Sequence, residues 1–387
     1  MSTHPLKIDR RTLLKASTSA GALVAGRITG VQAALAAAHQ QPAVERVIIV
    51  AFAGGVRSRD TFGTPGNVPV LEEMAREGVL WPRMRTSNLG HYGASLSIFT
   101  GISEPRGIRE NTRGPDPTMF EYLRKQLGLP ASEVWVSTSG GAQQSNYAYG
   151  LHRDYGASYG ANTLDGDGVF NSEFKGVLAR LGRPRAIDEG ERDVLAELRR
   201  SLRPEDGVRS PNSPESAARV EEYILTELTR GTSELRGPNA ADAKAIRVAR
   251  NLVSIFRPKV TAIVLQQADI AHGSYNGYLE VIRRNDAALG ELWRAIREDP
   301  ALAESTAIFV CPEFGRDSDL NSRRGLDHGD GSDDLRYVTG VGWGPGLGKG
   351  RVVQEEVRVV DLCPTVCELL GASAPLAEGR RLKRLFG

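Results

Sequence analysis

The regular alternation of strand-like and helix-like runs limits what this chain can fold into more than any other feature of its sequence. Residues 44–52 (VERVIIVAF) form a β-branched run broken at Gly54-Gly55, which predicts a buried strand with a breaker at its carboxyl end. Residues 70–78 have helical spacing and end in glycine, a plausible C-cap. Further along, 118–127 read as a helix, 133–137 as a strand, 259–265 as a strand and 275–297 as a helix. Strands over 306–311 and 337–341 and a helix over 361–370 complete the series, and 95–99 form a short apolar stretch closed by Thr100-Gly101. Such an order predicts an α/β fold, a mainly parallel sheet with helices on both faces. Ligands in these sheets gather at the carboxyl ends of the strands.

Two stretches interrupt the alternation. Residues 147–171 are rich in Gly, Tyr, Asn and Asp and read as an irregular surface loop. Residues 188–256 hold three helical patterns, near 189–202, 214–230 and 239–256, separated by Pro, Gly, Ser and Asn; they predict a helical insertion beside the sheet.

At 387 residues, 40% hydrophobic and 25% charged, the chain can bury a large core. Its 49 basic and 47 acidic residues leave a net charge of +2, and no basic block interleaves with aromatics, so nucleic acid is not an expected partner. Cys311, Cys363 and Cys367 form neither a disulfide framework nor a zinc spacing. Cys363 and Cys367, four apart in a predicted helix, read as small core residues.

The first residues read as an address. Residues 9–15 (DRRTLLK) precede a mildly apolar stretch, 16–26, and small-residue sites at 31–33 and 36–38. This is the order of a signal peptide. Arg10-Arg11 with Leu13, Leu14 and Lys15 resembles a twin-arginine export signal, so the twin-arginine translocase is an expected partner during export. The apolar stretch is too short to span a bilayer, which takes about 20 residues, and no later run is long enough. The expectation is a signal peptide over 1–38 and one domain over 44–387, periplasmic or extracellular, with no transmembrane segment.

Several segments then carry a family resemblance. Residues 67–81 (NVPVLEEMAREGVLW), Thr100-Gly101 followed by 117–123 (PTMFEYL), and 359–371 (VVDLCPTVCELLG) occur in the order found in the alkaline phosphatase/sulfatase superfamily, which the chain resembles. Residues 51–62 (AFAGGVRSRDTF) and Glu313-Phe314-Gly315-Arg316 with Asn321, Gly325, Asp327 and His328 resemble a narrower, twin-arginine-exported branch with an EFGR…DH signature. The likeness covers most of 44–387 except the helical insertion. It implies an alkaline phosphatase-like three-layer sandwich, divalent metal above the sheet, and a nucleophile at a helix start attacking phosphorus or sulfur.

Carried over residue by residue, the resemblance implies metal ligation by Asp269, His272 and His328, with Glu313 as a further carboxylate. Asp269 and His272 are three apart, where many members have four. The pattern also departs elsewhere. Ala53-Gly54-Gly55 stands where the first strand should end in aspartate, and Phe314 cannot ligate. Asp60 either substitutes for the missing acid or caps a turn. One metal, or a rearranged site, is therefore expected, zinc first, with calcium or manganese as alternatives.

Counting back from Thr100-Gly101 along the sulfatase CxPSR….TG pattern, the resemblance implies that His91 stands at the nucleophile position, as a ligand, a general base, a phosphohistidine-type nucleophile or a loop cap. No Cys-x-Pro-x-Arg is present, which argues against a formylglycine sulfatase. Ser87, Ser95 and Ser97 are nearby hydroxyls, the last two expected to pack in the following helix. Arg57, Arg59 and Arg316 could clamp an anionic oxygen or lie solvated at the surface. The first strand lacks GxGxxG and a following acid, so dinucleotide binding is discounted. The reading is an exported metal-dependent hydrolase of an anionic ester, phosphate rather than sulfate, on a small-molecule or envelope substrate. The alternative is a catalytically degenerate relative serving as an envelope binding or interaction protein.

Overall fold

A computed structural model describes residues 44–104, 112–139, 144–165, 235 and 240–382. The expected signal peptide over 1–38 and the helical patterns at 189–202 and 214–230 lie outside the described residues. From Val44 onward the chain forms one compact unit.

Strand β1 (Arg46–Phe52) lies at the centre of the sheet, parallel to β5 (Val260–Leu265) on one side and β6 (Thr306–Pro312) on the other. Beyond β5 come β3 (Val134–Thr138) and β4 (Asn162–Asp165), both parallel. Beyond β6 come β7 (Tyr337–Trp343) and β2 (Val79–Arg85), joined by antiparallel pairings. The short β8 (Arg351–Val352) and β9 (Val357–Arg358) pair with β2 in parallel. The order is β4-β3-β5-β1-β6-β7-β2-β8. The expected α/β architecture, mostly parallel, is borne out.

Side-chain alternation along β1 explains the two cores. Val47, Ile49 and Ala51 join one apolar cluster with residues of helices α2 (His91–Thr100), α3 (Met119–Leu127) and α6 (Leu362–Leu369). Ile48, Val50 and Phe52 join the other with α1 (Pro69–Glu77), α4 (Ala240–Phe256) and α5 (Tyr275–Glu298). Burial on both faces is why the central strands read as unbroken hydrophobic runs. Cys363 and Cys367 are buried in α6 as small core residues.

Three elements differ from the sequence reading. The stretch expected as a surface loop from residue 147 buries Tyr147 against Tyr92 and Phe99 and supplies β4. Its aromatic rings fill the space beside α2, and NTLD is too short and polar to read as a strand. Helix α2 starts at His91, ahead of the apolar stretch read over 95–99, and every residue from Tyr92 to Thr100 is buried. Strand β2 carries Pro82 at a register shift between Trp81 and Met84, which hid it from a pattern reading. Of the expected insertion, the third pattern appears as α4, packed against β5 and α5. Among the described residues no helix is long and apolar enough to cross a membrane.

Candidate metal centre

The carboxyl ends of β1, β5 and β6 meet one another at the same edge of the sheet. After β5 a short 3-10 helix (Gln267–His272) presents Asp269 and His272. Buried Asp242 of α4 anchors that turn, accepting hydrogen bonds from the Gln266 and Gln267 amides at 3.0 and 3.3 Å and from the Asn285 side chain at 2.7 Å. Helix α2 contributes His91 at its first position. After β6 the chain runs through Glu313, Phe314 and Arg316 into the loop that carries His328.

This loop is pinned directly on the 3-10 turn. The Leu326 amide donates to the Ala271 carbonyl at 2.7 Å. The Asn321 side chain accepts from the Gly325 amide at 3.0 Å and donates to the His272 carbonyl at 3.1 Å. A Cβ at residue 325 would overlap the Ala271 carbonyl oxygen, so only glycine permits the approach.

Two imidazoles are held in the same way. His91 Nδ1 is 2.6 Å from Glu313 Oε1, and His272 Nδ1 is 2.6 Å from Asp327 Oδ1. Each ring then turns its Nε2 toward Asp269 Oδ1, at 2.9 Å from His91 and 3.3 Å from His272. The His328 ring lies edge-on to both, 4.8 Å from His91 and 5.0 Å from His272 between centroids. One donor atom from each histidine falls within 4.8 Å of the others. His91 Nε2 is buried with no directed hydrogen bond, its approach to Asp269 being an ion-pair contact only. A buried nitrogen left in this state, beside other nitrogen donors and a carboxylate, suits a divalent cation.

The charges follow from these neighbours. Burial opposes charge on His91, but Asp269 and Glu313 outweigh it and push the imidazole up to about 10. Burial pushes the Glu313 carboxyl up to about 7 against the opposing effects of His91 and Ser95. Burial also works to raise Asp269, yet His91 and Arg316 hold it well below the usual carboxylate range. His328 is lowered to about 4 by burial, with further lowering from the nearby His91, Arg316 and His272.

The arginines are not where the anion clamp needs them. Arg316 is fully buried, and its five N–H groups meet the Gly54, Gly55 and Leu326 carbonyls, Asp269 Oδ1 at 2.5 Å and His272 Nε2 at 3.2 Å. Gly55, at φ +66°, makes room for it; a Cβ there would sit 2.8 Å from Arg316 Nε. Arg57 is buried too, with four N–H groups given to Asp60 and to the Asp317 and Ser318 carbonyls. Both are internal struts. Asp60, bonded to Arg57 and to the Tyr275 hydroxyl at 2.8 Å, does not substitute for the carboxylate missing after β1. Arg59, half exposed, pairs with Asp334.

Phe314 packs as an apolar wall against His91 and His328, with centroids at 4.9 and 5.1 Å. Ser97 donates to the Gly93 carbonyl inside α2, as expected. Ser95 is buried in α2 but reaches the site, donating to Glu313 Oε2. The sequence reading gave no role to Asp327 or Asp242, and to Ser95 only packing in the helix. For Asp327 the signal was its place in the signature next to His328, for Ser95 its place among the hydroxyls near His91; Asp242 carried none.

Sheet order and the helix layers on both faces define an α/β protein with an alkaline phosphatase-like fold. Solved structures superpose accordingly. A variant of alkaline phosphatase PafA aligns over 89% of this chain and 99% of its own, with a TM-score of 0.56 and 10% identity. Wild-type PafA aligns over the same shares with a TM-score of 0.53 and 11% identity. The lipoteichoic acid synthase LtaP from Listeria monocytogenes aligns over 89% of this chain and 75% of its own, at 0.50 and 13%. No family model matches the sequence, and no curated protein matches it. The alkaline phosphatase/sulfatase-like resemblance read from the sequence is thus borne out at the level of the fold.

Proposed function

We propose that this chain is a metal-dependent hydrolase of an anionic ester, phosphate rather than sulfate. The observation that carries the reading is the convergence of Asp269, His272 and His328 at the carboxyl edge of β1, β5 and β6. A divalent cation held there would neutralise the ester's oxygens and activate the attacking group. Around it, Glu313 and Asp327 orient two imidazoles, Arg316 fixes the Asp269 carboxylate, and Phe314 keeps one wall dry. The similar structures of an alkaline phosphatase and a lipoteichoic acid synthase support chemistry on phosphate groups. The absence of Cys-x-Pro-x-Arg disfavours sulfate. The Arg10-Arg11 segment supports export by the twin-arginine translocase and action in the periplasm or outside the cell, on a small-molecule or envelope substrate.

Zinc-loaded protein is expected to cleave an activated phosphoester faster than the matching sulfate ester, and His328→Ala should abolish the cleavage. Full turnover in that variant would sink the reading. A second reading, a binding protein without turnover, draws on Ala53, Phe314 and the burial of Ser95. It predicts cation binding with no hydrolysis of any phosphoester or sulfate ester tried.

A further inference from the structure

We propose that His91 is itself a ligand of the cation and that Glu313 is the residue that positions it. The centre would then be three imidazoles and the Asp269 carboxylate, a set that takes a zinc-class ion in preference to calcium. This rests on the cation-binding part of the proposed function and is independent of whether the chain turns over an ester.

The first line of support is the duplication of one device. Glu313 holds His91 as Asp327 holds His272, each by an Nδ1–carboxylate contact of 2.6 Å. A carboxylate behind an imidazole fixes its tautomer and leaves Nε2 as the donor, the usual support of a metal-bound histidine. The second line is distance. Four-coordinate zinc with bonds of about 2.0–2.1 Å places neighbouring donor atoms about 3.3 Å apart. The Nε2 atoms of His91 and His272 stand 2.9 and 3.3 Å from Asp269 Oδ1. The three histidine donors lie within 4.8 Å of one another, a range that small rotations of the rings would close.

The third line is the state of the carboxylates. Glu313 has no exposure, one oxygen meets His91 Nδ1 and the other takes the Ser95 hydroxyl, so it sits behind the His91 ring, away from the Nε2 side that faces Asp269. That moves Glu313 out of the ligand set expected from the sequence and puts His91 in. His91 Nε2 remains as the buried donor with no directed hydrogen bond. Three nitrogens with one oxygen suit zinc or cobalt, whereas calcium takes about six to eight oxygens.

The test titrates chelator-treated full-length protein with zinc, cobalt(II), manganese and calcium. One zinc per chain is expected, with weaker manganese binding and no calcium binding at comparable concentration. The cobalt form should show the intense visible absorption of four-coordinate cobalt, and X-ray absorption on the zinc form should count three imidazoles. His91→Ala should weaken zinc more than about 100-fold, and Glu313→Gln about 10–100-fold with the imidazole count unchanged. Circular dichroism in chelator checks that both variants fold. Should His91→Ala fail to fold, the imidazole count on the unaltered protein decides. A count of two, or His91→Ala with unchanged affinity and cobalt spectrum, overturns the His91 assignment and leaves the hydrolase reading intact. Preference for calcium overturns the ion class. No binding of any cation overturns this proposal and the metal dependence together.

Discussion

The His328 loop is held at its distance from His272 by a hydrogen atom where other residues have a side chain. At Gly325 an added Cβ meets backbone, the Ala271 carbonyl, which cannot rotate away as a side-chain tip could. Gly325→Ala should therefore cost roughly 1–3 kcal/mol by urea unfolding, the range for overpacking, and should weaken zinc binding as His328 is displaced. Gly329 has open space around it, and Gly329→Ala should stay within about 0.5 kcal/mol of the parent. Equal effects at the two glycines would remove the argument. At this scale the sequence was partly legible. Asp269, His272 and His328 could be named because residue types with ligand chemistry followed predicted strands. Arg316 could not be read as buried, since an arginine in a polar loop looks solvated until the carbonyls of Gly54, Gly55 and Leu326 are seen around it. Asp60 and Arg57 took each other as partners for the same reason: a buried charge is stable only when paired.

Helix α1 borrows its N-terminal cap from a neighbouring helix. The amides of Val70 and Leu71, in the first turn of α1, donate at 3.0 and 2.9 Å to Asp286, which belongs to α5. Burial raises the Asp286 carboxyl to about 6, against the two amides. A carboxyl whose folded pKa lies above its unfolded value binds its proton more tightly when folded. Its contribution to stability is present in full below the unfolded value near 4 and is lost as pH rises through about 6. Asp286→Asn cannot titrate. The stability of the parent relative to Asp286→Asn should therefore fall between pH 4 and 6.5, by on the order of 2 kcal/mol; a difference that grows with pH would refute the assignment. The elements that carried a continuous apolar signal, β1, β3, β5, β6 and β7 with α1, α3, α5 and α6, were legible because burial on a fixed face leaves a period in the sequence. Strand β2 was not, because Pro82 and the exposed Arg83 and Arg85 break the period at the register shift. Two-residue strands such as β8 and β9 are too short to hold one.

Across the whole molecule, the site joins parts of the chain that no local pattern connects. His91 and Glu313 touch across 222 residues, and His272 meets Asp327 across 55. The sheet makes this possible: β5 and β6 flank β1, so the turns after β5 and β6 open side by side beneath the start of α2. A cation bound to His91, Asp269, His272 and His328 would cross-link the start of α2, the turn after β5 and the loop after β6. The ligands scatter when the chain unfolds, so binding should be linked to folding. Zinc at about 100 times its dissociation constant should add about 2.7 kcal/mol to the unfolding free energy, and each further tenfold about 1.4 kcal/mol. Thermal melts against zinc concentration, with chelator as the zero, measure this directly. In His328→Ala the dependence should flatten over the same range, while Gly329→Ala should keep the parent's slope. A melting temperature indifferent to zinc in the parent would mean that the imidazoles meet at this edge without sharing an ion.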